Sequence, residues 1–207
     1  SNKYIPFYQA SSSEMFGVQK NPKYSKLNED SSFNPNSPYA KGKLKIHKKI
    51  NVLRKDYEWP IVSGIMFNHE SEFRKDEYLI KKIYNSVKKI NFGQLNKLEI
   101  GSLSLKRDWG YAKEYSEAMN LILENGSKED FVIGTGKTTS IQEIVNFTFD
   151  LFDLDWKRYV EVNPNLLRKD DPEIIVSDPR KINMKIGWKA KKDIFYVIEK
   201  LFKKDNI

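Results

Sequence analysis

Cysteine is absent from all 207 residues, so the chain has no disulfide framework, no thiolate nucleophile and no cysteine metal site. Imidazole is scarce as well. Only His47 and His69 could supply it, which excludes a histidine-rich metal centre, and no metal is expected. No apolar run approaches the ~18 residues needed to cross a bilayer. The first residues also lack the basic-then-apolar pattern of a secretion signal. Together these absences are compatible with a reducing, cytoplasmic setting. No internal repeat is visible, and no Gly-x-x-Gly-x-x-Gly turn occurs anywhere.

What remains is the composition of a globular chain, 39% hydrophobic and 31% charged, long enough to bury a sizeable core. The formal charge of +8 invites a nucleic-acid reading. The basic residues, however, are spread along the chain as doublets such as Lys48-Lys49, Lys88-Lys89 and Lys203-Lys204. Doublets of this kind are usually solvated helix faces. An anionic small molecule would use only a few of them, so nucleic acid is the lesser reading.

Periodicity and punctuation set out the elements. "KYIPFYQAS" (3–11) reads as a strand, and the Asn-, Ser- and Pro-rich stretch 18–37 as a long loop. Pro38 suits the first turn of a helix running to about Tyr57. "WPIVSGIMFN" (59–68) is a second apolar strand. A helix near 76–91 follows, with Leu79, Ile80, Ile83, Val87 and Ile90 at helical spacing. "KLEIG" (97–101) and "DFVIGTG" (130–136) read as strands flanking a helix that ends near Leu123. Ser140 with Glu143 forms a capping box opening another helix. Asp178-Pro179 reads as an N-cap and first-turn pair, and a last helix spans about 192–204. Alternating strands and helices predict an α/β fold with a largely parallel sheet.

"SPYAKGK" (37–43) sets Tyr39 four residues before Lys43. The spacing decides nothing, because Tyr-x-x-x-Lys recurs at 78/82, 84/88 and 196/200. The helix face is more informative. Positions 39, 43, 46, 50, 53 and 57 hold Tyr, Lys, Ile, Ile, Leu and Tyr, a stripe expected to be buried. A lysine on such a stripe needs a partner or a task. An ammonium one helical turn from a phenol favours the phenolate, which makes Tyr39 a usable proton acceptor or donor. The plainer alternative is that Lys43 snorkels to water and Tyr39 packs. "QASSSEMFG" (9–17) ends a strand in three hydroxyls and a carboxylate, where parallel-sheet enzymes place chemistry. Ser12 would bond a substrate hydroxyl and Glu14 would act as a base; the alternative is a serine-rich turn. "GTGKTT" (134–139) is not a phosphate-binding loop, since Phe131 stands where that motif needs glycine. It reads as a tight turn into the Ser140-capped helix.

Taken in order, "FYQASSSEMFG", "SPYAKGK", "GIMFNHES", "FGQL", "GSLSLKRDWGYAKEYSEAM" and "EDFVIGTG" resemble the extended short-chain dehydrogenase/reductase family. Within it they are most similar to the GDP-mannose 4,6-dehydratases. The likeness runs from about residue 4 to "IGW" (186–188), and "NHES" and "KRDWG" are far more specific than YxxxK. It implies a partial doubly wound, Rossmann-like parallel sheet plus a smaller α/β substrate-binding domain. Residues 1–68 with part of 95–136 would form the cofactor half; 69–94 and 137–207 would form the substrate half.

The resemblance further implies an NADP-dependent lyase, with NAD as the alternative cofactor and GDP-mannose or a similar nucleotide-sugar as substrate. Tyr39 would take the sugar 4-hydroxyl proton, and Lys43 would hold the nicotinamide ribose. Ser12 stands where the family has a catalytic threonine, and Glu14 where it has the base for the C5 proton. Water would leave from C6 and hydride would return there. Asn68, Lys82, Arg107 and Arg168 would meet the sugar and diphosphate, and Asp171 the guanosine. His69 and Arg74 match positions near the cofactor, Arg74 usually reaching across a subunit interface. The sequence departs from the family at "SEFRKDEY" (71–78), which replaces a proline- and arginine-rich segment, and at "RKDDPE" (168–173), which lacks a proline after the arginine. Arg107 beside Asp108 would alternatively form a local ion pair. The glycine-rich turn that cradles the dinucleotide pyrophosphate belongs, in this family, to a part preceding Ser1. The expectation is therefore association with a complementary N-terminal polypeptide or with copies of itself as a homo-oligomer. Two other readings stay open: a related nucleotide-sugar dehydratase or epimerase, and a fragment that binds a nucleotide-sugar without turning it over.

Overall fold

The computed structural model describes residues 5–19, 26–167 and 171–205. In chain order, β1 (Phe7–Ser12) leads through a 3-10 turn at Ser13–Phe16 and a loop to α1 (Pro38–Tyr57). Strands β2 (Ile61–Met66) and β3 (Asn68–Glu70) follow, then α2 (Leu79–Asn91), β4 (Leu98–Ile100), β5 (Lys106–Arg107) and β6 (Trp109–Tyr111). Next come α3 (Ala112–Glu124), β7 (Asp130–Ile133), β8 (Thr139–Ser140) and α4 (Ile141–Asp150). The remainder is β9 (Val160–Val162), β10 (Ile174–Ile175), α5 (Arg180–Ile186) and α6 (Ile194–Asp205).

The largest sheet is parallel, in the order β1-β2-β7, with Ser12 opposite Met66 and Ser63 opposite Asp130. Parallel pairing needs a helix on each crossover, and α1 and α3 supply it. Residues 61–65 are all buried, as expected of a central strand covered on both faces. At Gly64 a β-carbon would stand 1.7 Å from the Tyr8 hydroxyl, so the ring of Tyr8 packs over the neighbouring strand only because that residue is glycine. Below the sheet, Val62, Tyr115, Ile122, Phe131, Ile182 and Trp188 form one apolar cluster. A second, larger cluster joins α2, α4 and α6 through Ile80, Ile83, Val87, Ile144, Val145, Val197 and Leu201. Each such aliphatic side chain contributes about 1.5–3 kcal/mol when fully buried.

Short strands link the two packed regions. β3 pairs with β6, placing Asn68 opposite Trp109. β5 lies between β10 and β8, with Arg107 opposite Ile175 and Thr139. These two- and three-residue strands escape a periodicity reading because they are too short to show a period. Their register comes from tertiary pairing instead.

α1 starts where the sequence predicts. Ser37 caps it by accepting from the Ala40 amide at 3.0 Å, Pro38 occupies the first turn, and Glu58 ends it in the left-handed region at φ 54°. Its buried face is a correction. Lys43, Ile50 and Leu53 of the expected stripe do turn inward, but Tyr39, Ile46 and Tyr57 are exposed, and Ala40, Leu44 and His47 complete the inward face in their place. Polar anchors decide this rotation. The Lys43 ammonium reaches the Ala10 carbonyl at 2.8 Å, while Arg54 donates to the Ile61 carbonyl and to Asp130. Hydrophobic spacing carries no information about such anchors.

The capping box at α4 is present in both directions: Ser140 Oγ accepts from the Glu143 amide at 3.1 Å, and Glu143 accepts from the Ser140 amide at 2.7 Å. Ser140→Ala is expected to cost about 1 kcal/mol of stability, read as a shifted denaturant midpoint with unchanged slope. The helix after Asp178 is a smaller correction. Its first turn starts at Arg180 and Pro179 holds the cap position, while the Asp178 carboxylate accepts from the Arg180 amide at 3.3 Å and also pairs with the Arg180 guanidinium.

Candidate active site

The end of β1 and the start of α1 meet. Ser12 Oγ accepts from the Glu14 amide at 3.2 Å, which holds the turn carrying Glu14 against the strand end. Ser37, the cap of α1, places its hydroxyl 3.5 Å from Glu14 Oε2. Glu14 thus lies at the same helix end as Tyr39, two residues on. One turn further along, Lys43 is fixed on Ala10 and its ammonium stands 5.5 Å from the Tyr39 ring centroid. Ser12, Glu14, Tyr39 and Lys43 therefore gather at the carboxyl end of parallel strands. That end is where open α/β sheets bind ligands. Ser37 is a member that the sequence reading missed, although its place before Pro38 is a cap signature.

Strand register extends this edge. Two residues after Met66, which faces Ser12, comes Asn68, and Asn68 faces Trp109. Two residues before Trp109 stands Arg107, in β5. Its guanidinium is 9% exposed and donates to Asp171 at 2.6 Å, and also to the carbonyls of Lys106 and Glu173. The structure thus brings Arg107 and Asp171 together. It also shows that Arg107 does not pair with Asp108. Asp108 is buried and accepts from the Thr135 amide and hydroxyl, the Gly136 amide, and the Ser177 amide and hydroxyl. Those bonds fold "GTGKTT" into a turn with Gly136 at φ +73°, as read from sequence.

His69 follows Asn68, with Nδ1 2.8 Å from the Phe67 carbonyl and the ring 4.9 Å from that of Tyr115. A carbonyl only accepts, so Nδ1 carries the proton, and burial lowers the imidazole pKa and favours the neutral form. Lys82 is exposed on α2 and reaches the Glu99 carbonyl at 3.5 Å. Arg168 lies outside the described residues.

Arg74 folds back inside its own loop. It lies 3.2 Å from Glu70 and stacks on Tyr78 with 3.5 Å between guanidinium carbon and ring centroid. Glu70 is 4% exposed, and the contact is misaligned for a hydrogen bond. Burial accordingly pushes its carboxyl up from 4.5 to about 7, against the pull of Arg74. A raised folded pKa means that the fold favours the protonated acid. The resulting stability is complete below about pH 4.5 and disappears as pH rises through about 7, a change of about 3 kcal/mol. Glu70→Gln is expected to flatten the melting temperature between about pH 5 and about pH 8, where the parent declines.

Beside this loop Ser71, Glu72, Phe73, Tyr111 and Lys200 line an open cavity of about 430 Å³. Lys200 pairs with Glu72 at 3.0 Å. Among the described residues no cluster of three or more His, Cys, Asp or Glu side chains has metal-binding geometry, and no helix is long and apolar enough to cross a membrane.

A model of the GDP-mannose 4,6 dehydratase family matches residues 1–201. The chain belongs to that family. It is 35% identical over 189 residues to GDP-mannose 4,6 dehydratase 2 of Arabidopsis thaliana, covering 91% of this chain and 50% of that enzyme. The chain spans about half the length of the curated relatives it matches. Among solved structures, RMD from Pseudomonas aeruginosa complexed with NADPH superposes with a TM-score of 0.86 at 19% identity, covering 97% of this chain and 66% of that one. The dTDP-glucose 4,6-dehydratase of Bacillus anthracis, in complex with NAD, gives 0.84 at 21%, covering 98% and 63%. These likenesses establish a Rossmann-like α/β fold for this GDP-mannose 4,6-dehydratase family member.

Proposed function

We propose that the chain is the substrate-facing part of a nucleotide-sugar 4,6-dehydratase that converts GDP-mannose to GDP-4-keto-6-deoxymannose. The supporting observation is the meeting of Glu14 with the capped start of α1, while Lys43 is anchored on the strand end beside them. Tyr39 accepts the sugar 4-hydroxyl proton, and Ser12 bonds that hydroxyl and orients it. Glu14 then removes the C5 proton, which a neighbouring C4 carbonyl has acidified, and the C6 hydroxyl leaves as water. Arg107, with Arg168, holds the diphosphate; Asn68 and Lys82 bind the sugar. Asp171 lies beside the nucleotide.

The residues present fit the nicotinamide end of a dinucleotide. Lys43 suits the ribose hydroxyls, with His69 held neutral nearby, and Arg74 is the further candidate contact. NADP is the proposed cofactor and NAD the alternative. When bound, it would take up a hydride at the oxidation and return one at the end. No Gly-x-x-Gly-x-x-Gly turn occurs in this sequence to receive the pyrophosphate.

Among the described residues β1 is an edge strand; its first residue, Phe7, is 47% exposed, and Ile5, two residues before it, 84%. An unpaired apolar edge favours strand addition. Since the relatives are about twice as long, the partner we propose is a polypeptide carrying the family's glycine-rich half, added in parallel along β1, with homo-oligomer formation as the other route. Residues 1–68 and part of 95–136 would then belong to the cofactor half, and 69–94 and 137–207 to the substrate half. The proposed setting is cytoplasmic. Mixing the chain with such a polypeptide, GDP-mannose and NADP is expected to yield a product lighter by one water in mass spectrometry. Nucleotide-sugar binding without that product would support a binding fragment instead.

A further inference from the structure

Arg107 is a nearly buried guanidinium, and a buried cation needs an anion close by. The anion it holds belongs to the chain itself: Asp171 Oδ1, at 2.6 Å. The two partners are anchored very differently. Arg107 sits in β5, paired on both sides, and its neighbour Asp108 receives the five hydrogen bonds that lock Thr135, Gly136 and Ser177 in place. Asp171 lies outside any strand, three residues before β10, and its side chain is 27% exposed. One partner is fixed in a packed sheet, and the other is a half-exposed carboxylate that can turn to water.

We propose that Asp171 is a built-in competitor for the anion site of Arg107. An incoming diphosphate takes the guanidinium only by displacing this carboxylate, so Asp171 lowers nucleotide affinity and is set free beside the bound nucleotide. The inference rests on the reading that Arg107 meets the diphosphate. Its chemistry is an exchange of acceptors: two phosphoryl groups offer more oxygen acceptors and more charge than one carboxylate, so the exchange favours them. No bond is made or broken. A ligand with only a single carboxylate gains nothing by the same exchange.

Titration calorimetry with GDP and with inorganic pyrophosphate on the whole chain tests this. Asp171→Asn is expected to tighten both by about two- to fivefold, the span of one partly exposed ion pair, while Asp171→Glu stays near the parent. Pyrophosphate added to the parent protein is expected to speed amide exchange around Asp171, and this readout stands even if the asparagine variant fails to fold. Four results overturn the proposal: equal pyrophosphate affinity in parent and Asp171→Asn; weaker GDP binding with unchanged pyrophosphate binding, which would make Asp171 a base contact; no binding of either probe to any variant; or unchanged exchange. Arg107→Ala separates the two ideas. If it leaves GDP affinity at the parent value, the diphosphate reading itself falls.

Discussion

Tyr39→Phe is expected to lower kcat of the reconstituted dehydratase by about 10²–10⁴-fold, the usual contribution of a positioned acid–base group. The fold should be indifferent to the change. Tyr39 is 55% exposed, and removing a hydroxyl at such a position usually shifts stability by less than about 0.5 kcal/mol. Activity and stability therefore separate cleanly, which a packing role for this ring would not allow. Glu14→Gln is expected to cause a loss of similar size, because its carboxylate is the proposed C5 base. The measurement is turnover of GDP-mannose with NADP and the complementary polypeptide, beside a thermal melt. A Tyr39→Phe protein working within twofold of the parent would remove the phenol from the mechanism.

Asp108→Ala is expected to cost about 3–5 kcal/mol, the largest stability effect of any single change considered. Five donors from three residues in two segments point at one buried carboxylate: the Thr135 amide and hydroxyl at Oδ1, and the Gly136 amide, Ser177 amide and Ser177 hydroxyl at Oδ2. Alanine takes the carboxylate from all five, leaving the Gly136 amide only the Ser177 hydroxyl and the Thr135 hydroxyl only the Lys137 carbonyl. Asparagine should also destabilise, because in either orientation its NH₂ group faces at least one backbone N–H, which cannot accept. Ser177→Ala, which takes away one donor to Asp108 and one acceptor for the Gly136 amide, should cost less. Denaturant midpoints of the three variants test the ordering. A loss under about 1 kcal/mol in Asp108→Asn would mean that water substitutes for the carboxylate.

Much of the fold was legible in the residues. The helix from Pro38 to Tyr57 was bounded correctly because Pro38 marks its start and polar spacing continues to a stop. α2 was visible from Ile80, Ile83, Val87 and Ile90, which are buried as their spacing requires. The Ser140–Glu143 cap is a four-residue interaction, so sequence alone specifies it. By contrast, the rotation of α1 was misread, because Lys43 and Arg54 orient it through contacts with Ala10, Ile61 and Asp130, the last 76 residues from Arg54. The role of Asp108 was invisible for the same reason. Its neighbour in sequence, Arg107, is not its partner, whereas Ser177 lies 69 positions away. Arg74 carries the cofactor expectation in its position but pairs with Glu70, four residues back, in a loop whose composition departs from the family's.

Sequence by itself determined the α/β class, the helix limits and the identities of a phenol, an ammonium, a hydroxyl and a carboxylate in two segments, because these follow from local spacing and residue chemistry. Only the tertiary structure decided which helix face turns inward, which acid Arg107 holds, and that Glu14 meets the capped end of α1. Those outcomes depend on strand register and on polar contacts between residues far apart in the chain, and neither leaves a periodic trace in the order of amino acids.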